Sequence, residues 1–95
     1  MSDPHVLILH DVADYPAWKA IFDGAAAIRR AAGEREYRVL VRDDDARSVV
    51  HFSRWTSLAS ARAFFESAEL VEIRRKAGVH APTFLYLEQV DAGIL

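Results

Sequence analysis

Val6-Leu7-Ile8-Leu9-His10, near the N-terminus, and Thr83-Phe84-Leu85-Tyr86-Leu87, near the C-terminus, are apolar on alternate residues and also on the residues between them. Side chains of a strand alternate between the two faces of its sheet. An antiparallel sheet with one wet face should therefore alternate apolar and polar residues. Here Val6 and Ile8 point one way and Leu7 and Leu9 the other, while Phe84 and Tyr86 oppose Leu85 and Leu87. The segment Ser48–Trp55 repeats the pattern, with Val50 and Phe52 on one face and Val49 and Trp55 on the other. The sheet these segments build has two apolar faces.

Working outward, Asp14 offers an N-cap with Pro16 in the first turn, where its missing N–H does no harm. Trp18, Ile21, Phe22, Ala25, Ile28 and Ala32 then follow at helical spacing, and Gly33 supplies the stop. Tyr37–Val41 reads as a second strand, Asp43-Asp44-Asp45 as a turn, and Ser48–Trp55 as a third strand; so short a loop predicts an antiparallel hairpin. Ser57 caps a second helix carrying Leu58, Ala61, Phe64 and Phe65. Ser67 caps a fresh segment with Leu70, Ile73 and Ala77, so a break is expected near Glu66–Ala68, and Gly78 ends the helix. Thr83–Val90 is the fourth strand, and the tail Asp91–Leu95 has no assigned place. The two helices end alike, in Ile28-Arg29-Arg30-Ala31-Ala32-Gly33 and Ile73-Arg74-Arg75-Lys76-Ala77-Gly78. That echo suits two βα units of a split β-α-β fold. It assigns the basic residues to the negative ends of the helix dipoles.

The expected subunit is α+β: a ferredoxin-like β-α-β-β-α-β domain spanning residues 1–95, with a four-stranded antiparallel sheet. Two helices cover one face of such a sheet, and no chain is left for the other. Apolar patches of several hundred Å² mark interfaces. The simplest cover is the same face of a second copy across a two-fold axis, with a different protein or a lipid as the alternatives.

Composition narrows the function. Hydrophobic residues make up 52% of the chain and charged residues 27%, enough for a packed core and too apolar for disorder. A net charge of −2 argues against a nucleic-acid partner. With no cysteine, disulfides, thiolate catalysis and cysteine-held metals are excluded. Met1-Ser2-Asp3-Pro4-His5 has no signal-like character. Apolar runs fall far short of the roughly 20 residues that span a bilayer, so a cytoplasmic protein without membrane contact is expected.

The order of elements, the stretch Asp14-Tyr15-Pro16-Ala17-Trp18-Lys19-Ala20-Ile21-Phe22-Asp23, and Arg54-Trp55-Thr56-Ser57-Leu58-Ala59-Ser60-Ala61-Arg62-Ala63-Phe64-Phe65 followed by Ser67-Ala68-Glu69-Leu70 resemble one family. It is the dimeric α+β barrel superfamily, near the antibiotic biosynthesis monooxygenase-like proteins. The resemblance spans Val6 to Val90 and rests on packing motifs. It implies a homodimer whose sheets face each other and a pocket between each sheet and its helices. Relatives include cofactor-free monooxygenases acting on quinols or polyketide aromatics, haem-degrading enzymes, cyclases and proteins without known activity. The sequence departs from the monooxygenase branch at Phe64 and near Glu69, where that branch often carries histidine.

No phosphate loop, dinucleotide glycine motif, zinc-spaced histidine pair or nucleophile elbow occurs. His51, in mid-strand, is the candidate catalytic group, because imidazole is matched to proton transfer near neutral pH; a core or interface histidine with one hydrogen bond is the other reading. His10 would approach His51 if their strand parities match, since strands one and three are expected as antiparallel neighbours. Two histidines hint at metal, but no carboxylate is placed with them, and neither a metal nor another cofactor is assigned. Arg38 and Arg54, with Arg42, could bind a carboxylate or phenolate or form ion pairs at the sheet edge. Trp18, Tyr37, Trp55 and Tyr86 could line an aromatic-ligand pocket or serve the core. The functional expectation is a small-ligand protein of the monooxygenase-like group, carrying out cofactor-free oxidation or cyclisation of an aromatic or polyketide-type compound. The alternatives are a non-catalytic homodimeric accessory or stress-related protein, and a haem or metal binder.

Overall fold

The computed structural model describes residues 2–95. In chain order the elements are β1 (Pro4–Val12), α1 (Tyr15–Gly24), α2 (Ala26–Ala32), β2 (Glu34–Arg42), β3 (Asp45–Trp55), α3 (Leu58–Phe65), α4 (Ala68–Lys76) and β4 (Val79–Glu88). The strands form one sheet in the order β2-β3-β1-β4, with every neighbouring pair antiparallel. This is the ferredoxin-like α+β arrangement expected from the sequence.

The helices begin where the caps predict. Asp14 Oδ2 accepts from the Ala17 N–H at 3.0 Å, and Ser57 Oγ from the Ser60 N–H at 3.0 Å. Ser67 Oγ accepts from the Leu70 N–H and donates to the Phe64 carbonyl, which holds the break between α3 and α4. The first helix, expected to run unbroken to Gly33, is instead split at Ala25. Gly24, a poor helix former, precedes the break, and the Ala25 N–H is shared between the carbonyls of Ile21 and Phe22. At Gly33 the chain turns back with φ +128°, and a Cβ there would lie 2.6 Å from Thr56 Oγ1, so only glycine fits.

All four strands are longer than alternation alone suggests, and β3 starts at Asp45, expected in the turn, rather than at Ser48. β2 starts at Glu34 rather than Tyr37, and β1 reaches Pro4 and Val12. β4 starts at Val79 rather than Thr83 and ends at Glu88 rather than Val90. Pro82 is tolerated inside it because β4 is an edge strand and carries an irregularity there. Leu9 pairs with Thr83 and Asp11 with His80, so Ala81 and Pro82 together stand opposite His10. Ala81 has φ +46°, an unfavourable conformation for a residue with a Cβ.

Side-chain directions follow strand parity. Val6, Ile8, His10 and Val12 of β1 and Val49, His51, Ser53 and Trp55 of β3 are buried beneath the helices. The core there divides into two clusters. One joins Val6, Ile8, Trp55, Ala61 and Phe65; the other joins Val12, Trp18, Phe22, Val49 and Ala77. On the opposite face, Leu9, Leu40, Leu85 and Leu87 are 38–52% exposed. Among the described residues no helix is long and apolar enough to cross a membrane.

Candidate functional site

A cavity of about 70 Å³ lies at the seam between the two core clusters. Ile8, His10 and His51 form its floor on the sheet, and residues of all four helices form its walls, among them Trp18, Phe22, Arg29, Phe64, Phe65 and Arg74. It contains both histidines singled out from the sequence. His51 stands opposite Ile8 and His10 opposite Val49, so the two rings are diagonal neighbours on adjacent strands of the same face. Such neighbours are separated by about 7–8 Å.

His51 is anchored from behind. Glu34 Oε2 lies 2.9 Å from His51 Nε2, and Glu34 Oε1 accepts from Arg29 Nη1 at 2.8 Å. All three side chains are buried. Burial by itself would raise the Glu34 pKa, but the hydrogen bonds and charges of His51 and Arg29 outweigh it, and the carboxyl titrates below its usual range. An ionised carboxylate only accepts hydrogen bonds, so Nε2 of His51 carries the proton and donates it to Glu34. In the neutral form of that ring the lone pair is at Nδ1, on its other edge. A carboxylate that holds an imidazole in one tautomer also stabilises the imidazolium formed when the ring accepts a proton.

His10 differs. It is 7% exposed, and neither Nδ1 nor Nε2 has a hydrogen-bond partner among the described residues. Its pKa is lowered to about 4, chiefly by burial, then by the neighbouring His51 and Arg74, with Asp11 acting the other way. The ring is therefore neutral at physiological pH. An aromatic chain connects the two histidines: His10 packs on Trp18 at 5.4 Å between centroids, Trp18 on Phe22 at 4.9 Å, and Phe22 edge-on to His51 at 4.9 Å. The Arg29 guanidinium sits 3.8 Å over the Phe22 ring, which fixes the same array from the helix side.

The structure thus brings His10, Trp18 and His51 into one cavity, with Tyr37 touching His51 and Phe22 from the sheet edge while half exposed. The other candidates lie outside this cavity, and Arg38 and Arg54 line a separate one with Tyr37. Trp55 and Tyr86 face the helices but pack in the other core cluster. There the Trp55 Nε1–H donates to Ser53 Oγ at 2.8 Å, and Arg62 covers Tyr86. Arg38 and Arg54 are on the open face because their strand parity is opposite to that of His51; Arg54 pairs there with Glu36 at 3.3 Å. Arg42 pairs with Asp44 at the exposed hairpin end.

Glu34 and Arg29 were not found from the sequence. Plain alternation groups Glu34 with Glu36, Arg38 and Leu40 on the open face. A bulge removes that parity: Glu36 pairs with Arg54 while Glu34 pairs with Trp55, so two steps on β2 match one on β3 and Glu34 turns under the helices. Among the described residues no group of three or more His, Asp or Glu side chains is arranged to hold a metal. Arg29 and Arg74 in the cavity wall oppose a cation electrostatically.

No family model and no curated protein matches the chain. Solved structures do. SnoaB, a cofactor-independent oxygenase from Streptomyces nogalater, superposes with a TM-score of 0.80 at 13% identity, over 97% of each chain. A "putative antibiotic biosynthesis monooxygenase" from Bordetella bronchiseptica gives 0.77 at 13% identity, over 95% of this chain and 99% of that one. Rv0793 from Mycobacterium tuberculosis gives 0.66 at 20% identity, over 96% and 99%. The chain shares its fold with these proteins, and the likeness covers 95–97% of it.

Proposed function

We propose that this protein binds a small hydroxylated aromatic compound between sheet and helices and that His51 takes a proton from it, as the first step of a cofactor-free oxidation or cyclisation. The observation that carries this reading is the hydrogen bond from His51 to the buried Glu34, which commits one ring nitrogen and leaves the other as a base at an apolar cavity. In that step the substrate O–H bond breaks, the proton moves to Nδ1, and the electron pair stays on the substrate. The resulting anion is electron-rich and is the form in which hydroxyaromatics react with dioxygen or close rings. The fold shared with a cofactor-independent oxygenase is consistent with this chemistry.

The cavity as it stands is about half the ~150 Å³ that accommodates a benzene ring. A substrate ring therefore enters with movement of the walls, and the breaks at Ala25 and at Glu66–Ser67 are the joints where the helices can give. The same small volume favours, as a second reading, a non-catalytic role in which the fold alone is used. Both readings include a homodimer paired through the open faces, supported by the exposed leucines there.

The test is oxygen consumption with a panel of hydroquinones and hydroxyanthrones, alongside thermal shifts. Turnover by the native protein that falls by about 10²–10⁴-fold in His51→Ala supports the proton-acceptor role. No turnover and no thermal shift with any member supports the non-catalytic reading.

A further inference from the structure

We propose that the cavity takes an organic carboxylate, its anionic end held between Arg74 and His10 and its apolar body against Trp18, Ile73 and Phe65. This rests on the reading of the cavity as a ligand site and adds the charge and class of the ligand.

The two βα units make the case. Arg29 and Arg74 occupy matching places, each one residue after the isoleucine of the repeated helix end and four before its glycine. Both line the cavity, and both give one guanidinium hydrogen bond to a carbonyl of a neighbouring helix, Arg29 to Phe22 and Arg74 to Phe65. In the first unit the residue after the glycine is Glu34, which neutralises Arg29 at 2.8 Å. In the second unit the residue after the glycine is Val79, also in the cavity wall and uncharged. Arg74 is half buried and forms no ion pair with any carboxylate among the described residues. A half-buried guanidinium with no counter-ion favours an anion from outside, and its planar fork suits a carboxylate.

His10 is the second observation. It is more than nine-tenths buried, lines the same cavity, and leaves both ring nitrogens without a partner among the described residues. A buried polar group in that state is expensive unless it has a function. Opposite it lies the irregular part of β4, where Ala81 has positive φ. The groups acting on the ring are Asp11 on its own strand, His51 on β3 and Arg74 on α4. A carboxylate seated against Arg74 offsets the repulsion that Arg74 and His51 exert, so His10 can take a proton from solvent and donate it as a charge-assisted hydrogen bond. No carboxylate lines the cavity, and apart from His51 and the Glu34-paired Arg29 the remaining wall is apolar, which suits a ligand with a single carboxylate on a largely apolar body.

The experiment is titration calorimetry with crotonate and benzoate against crotonamide and benzamide, at about pH 6, where free His10 is neutral. The proposal expects the acids to bind roughly tenfold or more tightly than the amides, with proton uptake seen as a dependence of the heat on buffer ionisation enthalpy. Arg74→Gln should remove that preference, and His10→Leu should remove the uptake. Arg74 is at the cavity wall and not in either core cluster, so Arg74→Gln is expected to fold; a cooperative thermal transition checks this. Equal binding of acids and amides, no binding of the acids, or a preference that survives Arg74→Gln overturns the proposal. Its failure is distinct from failure of the His51 role, which would appear as carboxylate binding without turnover.

Discussion

Replacing His10 by leucine should stabilise the protein while abolishing a pH dependence. The ring is buried with an unpaired donor and an unpaired acceptor. An unsatisfied buried polar group costs about 1–3 kcal/mol, and an apolar side chain of similar size removes that cost. At pH 7 His10→Leu should therefore gain about 1–3 kcal/mol, and each kcal/mol raises Tm by about 4–8 °C in a domain of this length. The gain should grow in acid. Folded His10 stays neutral down to about pH 4, while in the unfolded chain it protonates near its ordinary value of 6.5. Between those values the unfolded state binds more protons, so the native protein loses stability as pH falls, by up to about 1.4 kcal/mol per pH unit. The leucine variant lacks this loss, and the gap between the two proteins should widen by roughly 2 kcal/mol from pH 7 to pH 5. Urea unfolding followed by tryptophan fluorescence at both pH values measures it, since Trp18 packs directly on His10. A variant less stable than the native protein at pH 7, or a gap that does not change with pH, refutes the account of His10 as an unpaired neutral ring.

Glu34→Ala leaves Arg29 buried without its carboxylate and His51 without its anchor, and should cost about 3–5 kcal/mol in chemical denaturation. Because the Glu34 pKa is lowered in the fold, its contribution is present above the ordinary carboxylate range and lost as pH falls below it; the variant should show a shallower acid limb in Tm against pH. Leu85→Asp places a charge on the open face directly opposite Leu7, and should convert the proposed homodimer to a monomer in light scattering after size exclusion, with the far-UV circular dichroism unchanged. Gly33→Ala forces a Cβ against Thr56 Oγ1 in a positive-φ conformation and should destabilise by about 1–3 kcal/mol in urea unfolding.

Local periodicity determined the layers of this protein. Val6 to Leu9 and Phe84 to Leu87 are apolar on both parities, and that alone predicts a sheet with two apolar faces, of which the chain's own helices cover one. The caps at Asp14, Ser57 and Ser67 and the stops at Gly33 and Gly78 are short-range devices, so the sequence shows them directly. His10 and His51 share a face because strand parity carries them there without interruption. Glu34 and Arg29 are a different case. Only the tertiary structure turns Glu34 beneath the helices, because the bulge that reverses its parity is set by how β2 leaves Gly33 and pairs with Trp55. Only the break at Ala25 and the packing over Phe22 bury Arg29, a residue that helix electrostatics alone assigns to the surface. Alternation is a property of neighbouring residues. The candidate site of this protein depends on one residue that breaks alternation and on a charge that becomes tolerable only beside a partner from another element.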